Sequence, residues 1–410
     1  MNVGYISIQN LKSKPLTTFL SVFVLALSIA LLLGIQQLKS SFSHQLENNL
    51  GDIDVVVGAK GSPIQLVLSS VLHLDNPTGN ISYPEALKIG KYPFVESAIP
   101  ISYGDNYKGY RIVGTTASFT KLYQASLESG QYAKSSFEVV LGNTVAQALD
   151  LKIGDHILSS HGLVANDSDV HDDVLTVVGI LKPTQKVVDR LLLATLETVW
   201  DVHDHEEEEE HHEEEHEEES HLHEHHEEEK EITALLIQFK SPRALLTFPR
   251  KINKKTNFQA VLPKYELDKL YAYTSIGFQT VSWIAYLILL ISCVIIGTNL
   301  FKMVQERSYD LAMLRIYGAS PIQLIKLVAF EAIWILCMAF VLGYGFVALG
   351  FQIAFSIVSD SLQQIGLQPL SLQEVLKLVF LIVVLVLITI GFAIYPILKM
   401  NISKILSHEK

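Results

Sequence analysis

Four stretches of this chain run for at least 21 residues without Lys, Arg, Asp or Glu: residues 16–38, 270–301, 332–359 and 378–398. A helix rises about 1.5 Å per residue, so about 20 apolar residues cross the ~30 Å of hydrocarbon in a bilayer. Inside lipid every backbone N–H and C=O must be satisfied by the protein, and a helix does this within one segment. The pattern therefore predicts an α-helical membrane protein with four transmembrane helices, over 16–38, 273–301, 321–355 and 374–397. Composition agrees. Apolar residues make up 49% of the 410, charged residues only 18%, and the mean hydropathy is +0.30, whereas a soluble domain carries about a quarter charged residues. The first run follows Lys12 and Lys14, as the apolar core of a signal peptide does. Its 23 uncharged residues exceed the roughly 7–15 of such a core, so it is read as a retained span.

Basic residues in short flanks set orientation. Lys12 and Lys14 precede the first span, Lys302, Arg307 and Arg315 follow the second, and Lys399, Lys404 and Lys410 follow the fourth, while the loop 356–373 has no Lys or Arg. Both termini (1–15 and 398–410) and the loop 302–320 are therefore expected in the cytoplasm, with residues 39–272 outside. Cys293 and Cys337 both lie in apolar runs, so no disulfide framework or thiolate metal site is expected.

Residues 39–272 change in texture to mixed α/β. Strand-like stretches are Asp54–Val57, Arg111–Val113, Val139–Leu141, Val174–Leu181 and Thr233–Phe239; helix-like ones are Ser62–Leu72, Tyr83–Gly90 and Thr144–Leu149. The tract Gly58-Ala59-Lys60-Gly61 lacks the spacing of a phosphate loop, and no such loop occurs elsewhere, so ATP hydrolysis is expected in a separate subunit and this chain is read as a non-enzyme. His73, His156, His161 and His171 are scattered and read as surface or packing residues.

Residues 203–231 are almost pure Glu and His. They hold 16 Glu and nine His: His203, His205, His211, His212, His216, His221, His223, His225 and His226. The tract carries −16 of the net −12, which leaves the rest of the chain at +4 and gives no reason to expect a nucleic-acid partner. Like charges without an apolar face predict a loop that does not fold by itself. Imidazole with carboxylate suits Zn²⁺, and also Ni²⁺ or Cu²⁺, so these histidines are candidate metal ligands, with Zn²⁺ as the candidate ion and no cofactor required. His212-Glu213-Glu214-Glu215-His216 fits the HExxH pattern of zinc proteases, but a tract of two main letters produces that match by chance, and a protease also needs a third ligand and a cleft.

The loop after the second span starts with Glu306-Arg307-Ser308-Tyr309-Asp310 and continues through Leu311, Leu314 and Gly318 at helical spacing. Gly318 is a helix stop. Ser320 with Gln323 forms a capping box for the next helix, with Pro321 at its first position. Ser371 with Glu374 predicts a second box at the start of the fourth span, with Leu370 and Val375 as a staple.

Glu306-Arg307 … Asp310-Leu311-Ala312-Met313-Leu314-Arg315 … Gly318-Ala319-Ser320 resembles the ERxxEIGxLRAxGAS signature of FtsX/MacB-like ABC transporter permeases, the type VII systems. Asn10-Leu11-Lys12-Ser13-Lys14 looks like that family's entry to the first span. Glu138-Val139-Val140-Leu141-Gly142, Leu151-Lys152-Ile153-Gly154-Asp155 and Val177-Val178-Gly179-Ile180-Leu181 are similar to its extracytoplasmic core domain. Asp310-Leu311-Ala312 stands where the family has Glu-Ile-Gly, Met400-Asn401-Ile402 stands where a second Pro is common, and the Glu/His tract has no counterpart.

The resemblance implies a multi-pass protein of the bacterial cytoplasmic (inner) membrane, with a MacB-like core over 39–272 and an FtsX-like region over about 273–400. It implies an ABC ATPase partner, a second permease copy in a homo- or heterodimer, and a coupling helix at 302–320 whose contact residues are Glu306, Arg307, Asp310, Leu314, Arg315, Gly318 and Ala319. The function so implied is transmission of ATP-driven movement to the outer domain, for export, lipoprotein release or a zinc-linked process. The alternatives are a signalling or cell-wall-hydrolase-activating subunit that moves nothing, and a zinc transport or zinc-binding component. A periplasmic metal-binding protein or lipoprotein is a further candidate partner, beside membrane lipids. Glu331 is the one acid placed well inside a span and is the intramembrane candidate, against a simpler reading as an interfacial acid beside Lys326.

Overall fold

A computed structural model describes residues 3–160, 170–202, 230–306, 309, 313, 316–318, 320–357 and 370–398. The chain divides into two compact units, one of residues 1–42 and 273–410, the other of residues 43–272.

The first unit is helical. A short helix, α1 (Val3–Ser13), precedes α2 (Pro15–Leu50), and the three later helices of this unit run over Pro263–Glu306, Pro321–Ile357 and Leu372–Leu398. All but α1 are long and apolar enough to cross a membrane. Their buried residues recur at helical spacing: Val22, Leu25, Ala26, Ile29 and Leu32 on α2, and Leu324, Val328, Ala332, Ile335 and Ala339 on the helix from Pro321. The opposite faces carry exposed Phe19, Leu27, Trp283, Leu287 and Tyr344, as surfaces solvated by lipid do. Helices in lipid associate by close packing, which small residues permit. A Cβ at Gly343 would lie 2.9 Å from Ala26 O, so glycine there lets two helices touch. Polar pairs lie inside the bundle as well: Ser28 Oγ and Ser292 Oγ are 2.8 Å apart, and Asn299 Nδ2 donates to Ser21 Oγ at 2.7 Å.

The second unit is built on a ten-stranded mixed sheet. Its strands are β1 (Val55–Ala59), β3 (Val95–Tyr107), β4 (Tyr110–Thr115), β5 (Leu127–Gly130), β6 (Glu138–Leu141), β7 (His156–Ser160), β8 (Val170–Leu181), β9 (Leu191–Ala194), β11 (Ala234–Phe239) and β12 (Phe258–Val261); β2 (Ile81–Ser82) and β10 (Glu231–Ile232) form a separate pair. The order is β12-β1-β11-β3-β4-β9-β6-β8-β5, with β7 beside β3 and β8. Among the described residues, only β4–β9 and β6–β8 are parallel.

The central strands read as unbroken apolar runs because both faces are covered. Val56 belongs to one core, with Leu66 and Val67 of α3 (Pro63–Ser70), while its neighbours Val55 and Val57 belong to another, with Ala86 and Ile89 of α4 (Tyr83–Gly90) and Phe248. A third core surrounds Val139, Leu141, Val145 and Leu175. Gly142 ends β6 at a close crossing: a Cβ there would lie 2.3 Å from Asp189 O. All the strand-like and helix-like stretches read from the sequence of this unit fall on strands and helices.

Candidate functional site

The helix Pro263–Glu306 reaches Glu306, which is ion-paired with Lys14. Tyr309, Met313 and Ile316 are helical, and Tyr317 N donates to Met313 O at 3.0 Å. Gly318 then takes φ of +93°, the left-handed conformation that ends helices and that glycine adopts without a Cβ clash. The capping box follows: Ser320 N donates to Gln323 Oε1 at 2.9 Å, and Gln323 N to Ser320 Oγ at 3.3 Å. The turn holds apolar side chains out: Ile316 is 56% exposed, Tyr317 81% and Ile322 63%. Glu306 and Gly318 are thus placed. Arg307, Asp310, Leu314, Arg315 and Ala319 lie outside the described residues.

The second box forms only in part. Glu374 N donates to Ser371 Oγ at 3.3 Å, but the Glu374 carboxylate accepts from Gln36 Nε2 at 2.9 Å, across to α2. A tertiary partner has taken the acceptor that local pattern assigns to the Ser371 backbone.

Glu331 is 2% exposed. Its Oε1 accepts from Asn10 Nδ2 of α1 at 2.6 Å, and on the same contact Ser7 Oγ donates to Leu327 O at 3.2 Å. The helix Val3–Ser13 thus supplies a hydrogen-bond partner to Glu331, one that sequence reasoning missed because 321 positions separate the two residues.

The nine histidines of the Glu/His tract lie outside the described residues. What surrounds them is ordered by an aromatic clamp. Trp200 Nε1 donates to Glu231 O at 2.7 Å, Lys230 Nζ lies 4.6 Å from the centre of the Trp200 ring, and the Tyr83 ring is 5.3 Å from it. Tyr83 N donates to Lys230 O at 2.9 Å, and β10 pairs with β2. The last two residues of the tract, Lys230 and Glu231, are thus held to Trp200 and Tyr83 by contacts that need none of its histidines. Among the described residues no three His, Cys, Asp or Glu gather as a metal site.

Residues 16–243 match the MacB-like periplasmic core domain, and residues 282–403 match the FtsX-like permease C-terminal domain. No curated protein sequence matches the chain. Among solved structures, the periplasmic region of MacB from Actinobacillus actinomycetemcomitans is similar at 10% identity, over 53% of this chain and 94% of that one, with a TM-score of 0.34. The extracellular domain of the noncanonic ABC-type transporter YknZ from Gram-positive bacteria is similar at 8% identity, over 50% and 98%, with a TM-score of 0.32.

Proposed function

Because this chain belongs to the family of FtsX-like permeases with a MacB-like periplasmic core domain, we propose that it is the membrane subunit of an ABC system, driven by a separate ATPase and passing movement to its outer unit. The observation that carries this reading is the turn at 316–318. Gly318 is left-handed there, the capped helix Pro321–Ile357 follows, and the side chains of Ile316 and Tyr317 are exposed. An exposed aromatic and aliphatic pair in a loop whose sequence also carries Glu306, Arg307, Asp310 and Arg315 suits a groove on a protein partner, since interface cores favour Tyr and Arg. Both chain crossings between the two units, at 42/43 and 272/273, fall within the helices Pro15–Leu50 and Pro263–Glu306, so a push on the loop has stiff elements to travel along.

A second permease copy, in a homo- or heterodimer in the inner membrane with residues 39–272 outside, completes this arrangement. The Glu/His tract adds a Zn²⁺-binding loop to the outer unit. Its composition supports a zinc-linked cargo or signal, and the Trp200 clamp supports a loop that can gain or lose ions without disturbing the sheet.

The test is co-purification. The tagged protein is expressed with the ABC ATPase encoded beside it, and the retained ATPase is measured. Tyr317→Asp, and separately Arg307→Glu with Arg315→Glu, should remove the ATPase from the complex while membrane insertion stays normal. Full retention of the ATPase by both variants would refute the coupling role.

A further inference from the structure

The second unit presents a basic face. From Ile232 to Tyr265 the chain has seven basic residues and no Asp or Glu. Six of them, Lys240, Arg243, Arg250, Lys251, Lys254 and Lys255, lie on the helix Ala244–Lys255 or just before it, and all six are exposed. The helix turns Ala244, Phe248 and Ile252 to the core at helical spacing, which leaves its other faces to the charges. Lys240 Nζ donates to Pro93 O at 3.1 Å, and Lys251 Nζ lies 4.3 Å from the centre of the Tyr92 ring. Among the described residues none of the six forms an ion pair. The neighbouring α4 carries Lys88 against Glu85, and Lys91 follows it. Charges of one sign gathered in this way sum to a potential that draws polyanions.

The chain carries a polyanion of its own beside this face. Residues 203–229 hold 15 Glu and Asp204, with no Lys or Arg. Both of their ends start from the core that the basic helix covers: Trp200, before the tract, and Ile232, after it, pack with Ile89 of α4 and with Phe248 and Ile252. α4 spans the distance between the ends and the helix. Tyr83, its first residue, touches Trp200 and Lys230, and Tyr92, beyond its last, packs on Phe248 with ring centres 6.1 Å apart. The eight residues of α4 rise about 12 Å, whereas half of the 27 residues of the tract extends to about 45 Å. A segment tied beside its target meets it at an effective concentration on the order of millimolar, against which an unattached polyanion or a lipid headgroup has to compete.

We propose that residues 203–229 dock on the basic face of the helix Ala244–Lys255 of the same chain, their glutamates against Arg243, Arg250, Lys251, Lys254 and Lys255. Exposed ion pairs are worth little singly and are screened by salt, so the contact is collective, salt-sensitive and small beside the stability of the fold. It is independent of the coupling role and of Zn²⁺ binding by the tract.

A zero-length carbodiimide tests it, because it joins a carboxylate to a lysine amine only where the two touch. Metal-free full-length protein in lipid nanodiscs is treated near neutral pH, in low salt and again in about 1 M NaCl, where the screening length falls to about 3 Å. Single chains are then separated from joined copies on a denaturing gel, and the linked peptides are read by mass spectrometry. In low salt, single chains should show Lys251, Lys254 and Lys255 joined to glutamates of 203–229 about fivefold or more as often as Lys108 and Lys121, which are also exposed. High salt should remove that preference without any substitution. Arg243→Glu with Arg250→Glu, which leaves the three reporting lysines in place, should lower it about fivefold. Equal joining at all exposed lysines would overturn the proposal. So would joining to the helix found only between copies, or a preference that survives both high salt and charge reversal.

Discussion

Asn10 Nδ2 donates to Glu331 Oε1 at 2.6 Å, joining the N-terminal helix to the third long apolar helix. Hydrogen bonds to a charged group are stronger than neutral ones, and a buried carboxylate left without a donor is costly. Glu331 is therefore a fastening for α1. In a double-mutant cycle of Asn10→Ala and Glu331→Gln, read from denaturation in mild detergent, a coupling energy of about 1–2 kcal/mol is expected. A coupling energy of zero would mean that the two side chains do not hold one another.

His73 makes the second unit acid-sensitive. Burial, with the charges of Arg111 and Arg190 adding to it, lowers its folded pKa from 6.5 to about 3. Between those values the unfolded chain binds a proton that the folded one refuses, so stability is full above pH 6.5 and is lost as the pH falls toward 3. Each pH unit inside the window is worth at most about 1.4 kcal/mol. His73 has φ of +54°, which Asn tolerates, so His73→Asn is the informative substitution. With Trp283 and Trp334 replaced by Phe, Trp200 fluorescence reports unfolding of this unit alone. The variant should lose clearly less stability than the parent between pH 6.5 and 4.5, and parallel pH profiles would count against a neutral buried His73.

Deleting 203–229 and bridging the ends with a short Gly/Ser linker should leave the unfolding temperature of the metal-free protein nearly unchanged, because Trp200, Tyr83 and Glu231 hold the two ends together. The same deletion should abolish binding of several Zn²⁺ ions per chain. In the intact protein that binding should weaken as the pH drops through the free histidine value of about 6.5, since only neutral imidazole is a ligand. Calorimetry at two pH values measures this. A pH-insensitive stoichiometric site that survives the deletion would place the metal chemistry elsewhere.

Single cysteines test orientation, in a background with Cys293 and Cys337 replaced by Ala. Lys108 and Tyr317 are both exposed. An impermeant maleimide added to intact cells should label Lys108→Cys and leave Tyr317→Cys untouched until the membrane is opened. Labelling of Tyr317→Cys from outside would reverse the topology.

What was legible in the sequence is what local physics decides. Lipid requires each span to satisfy its own backbone, so the four helices appear as unbroken apolar runs of 21 residues or more. Gly318 and the Ser320/Gln323 box involve neighbours within one turn, and both formed as their spacing implies. The strands of residues 43–272 announce themselves by β-branched runs, because a sheet covered on both faces needs apolar residues at every position.

Partners distant in sequence were left to the tertiary structure. The strand order β1-β11-β3-β4-β9 brings together residues more than 100 positions apart, and no local pattern encodes which strand pairs with which. Glu374 exchanged its expected capping bond for Gln36, and Glu331 found Asn10, because an acid buried in a bundle takes the nearest donor that packing provides. The pairing of Asn106 with Arg111 depends on a single inserted residue between Tyr103 and Asn106, which turns one side chain to the other face of the sheet. Nothing in the run Tyr103-Gly104-Asp105-Asn106 marks that turn until β4 lies against it and fixes the register.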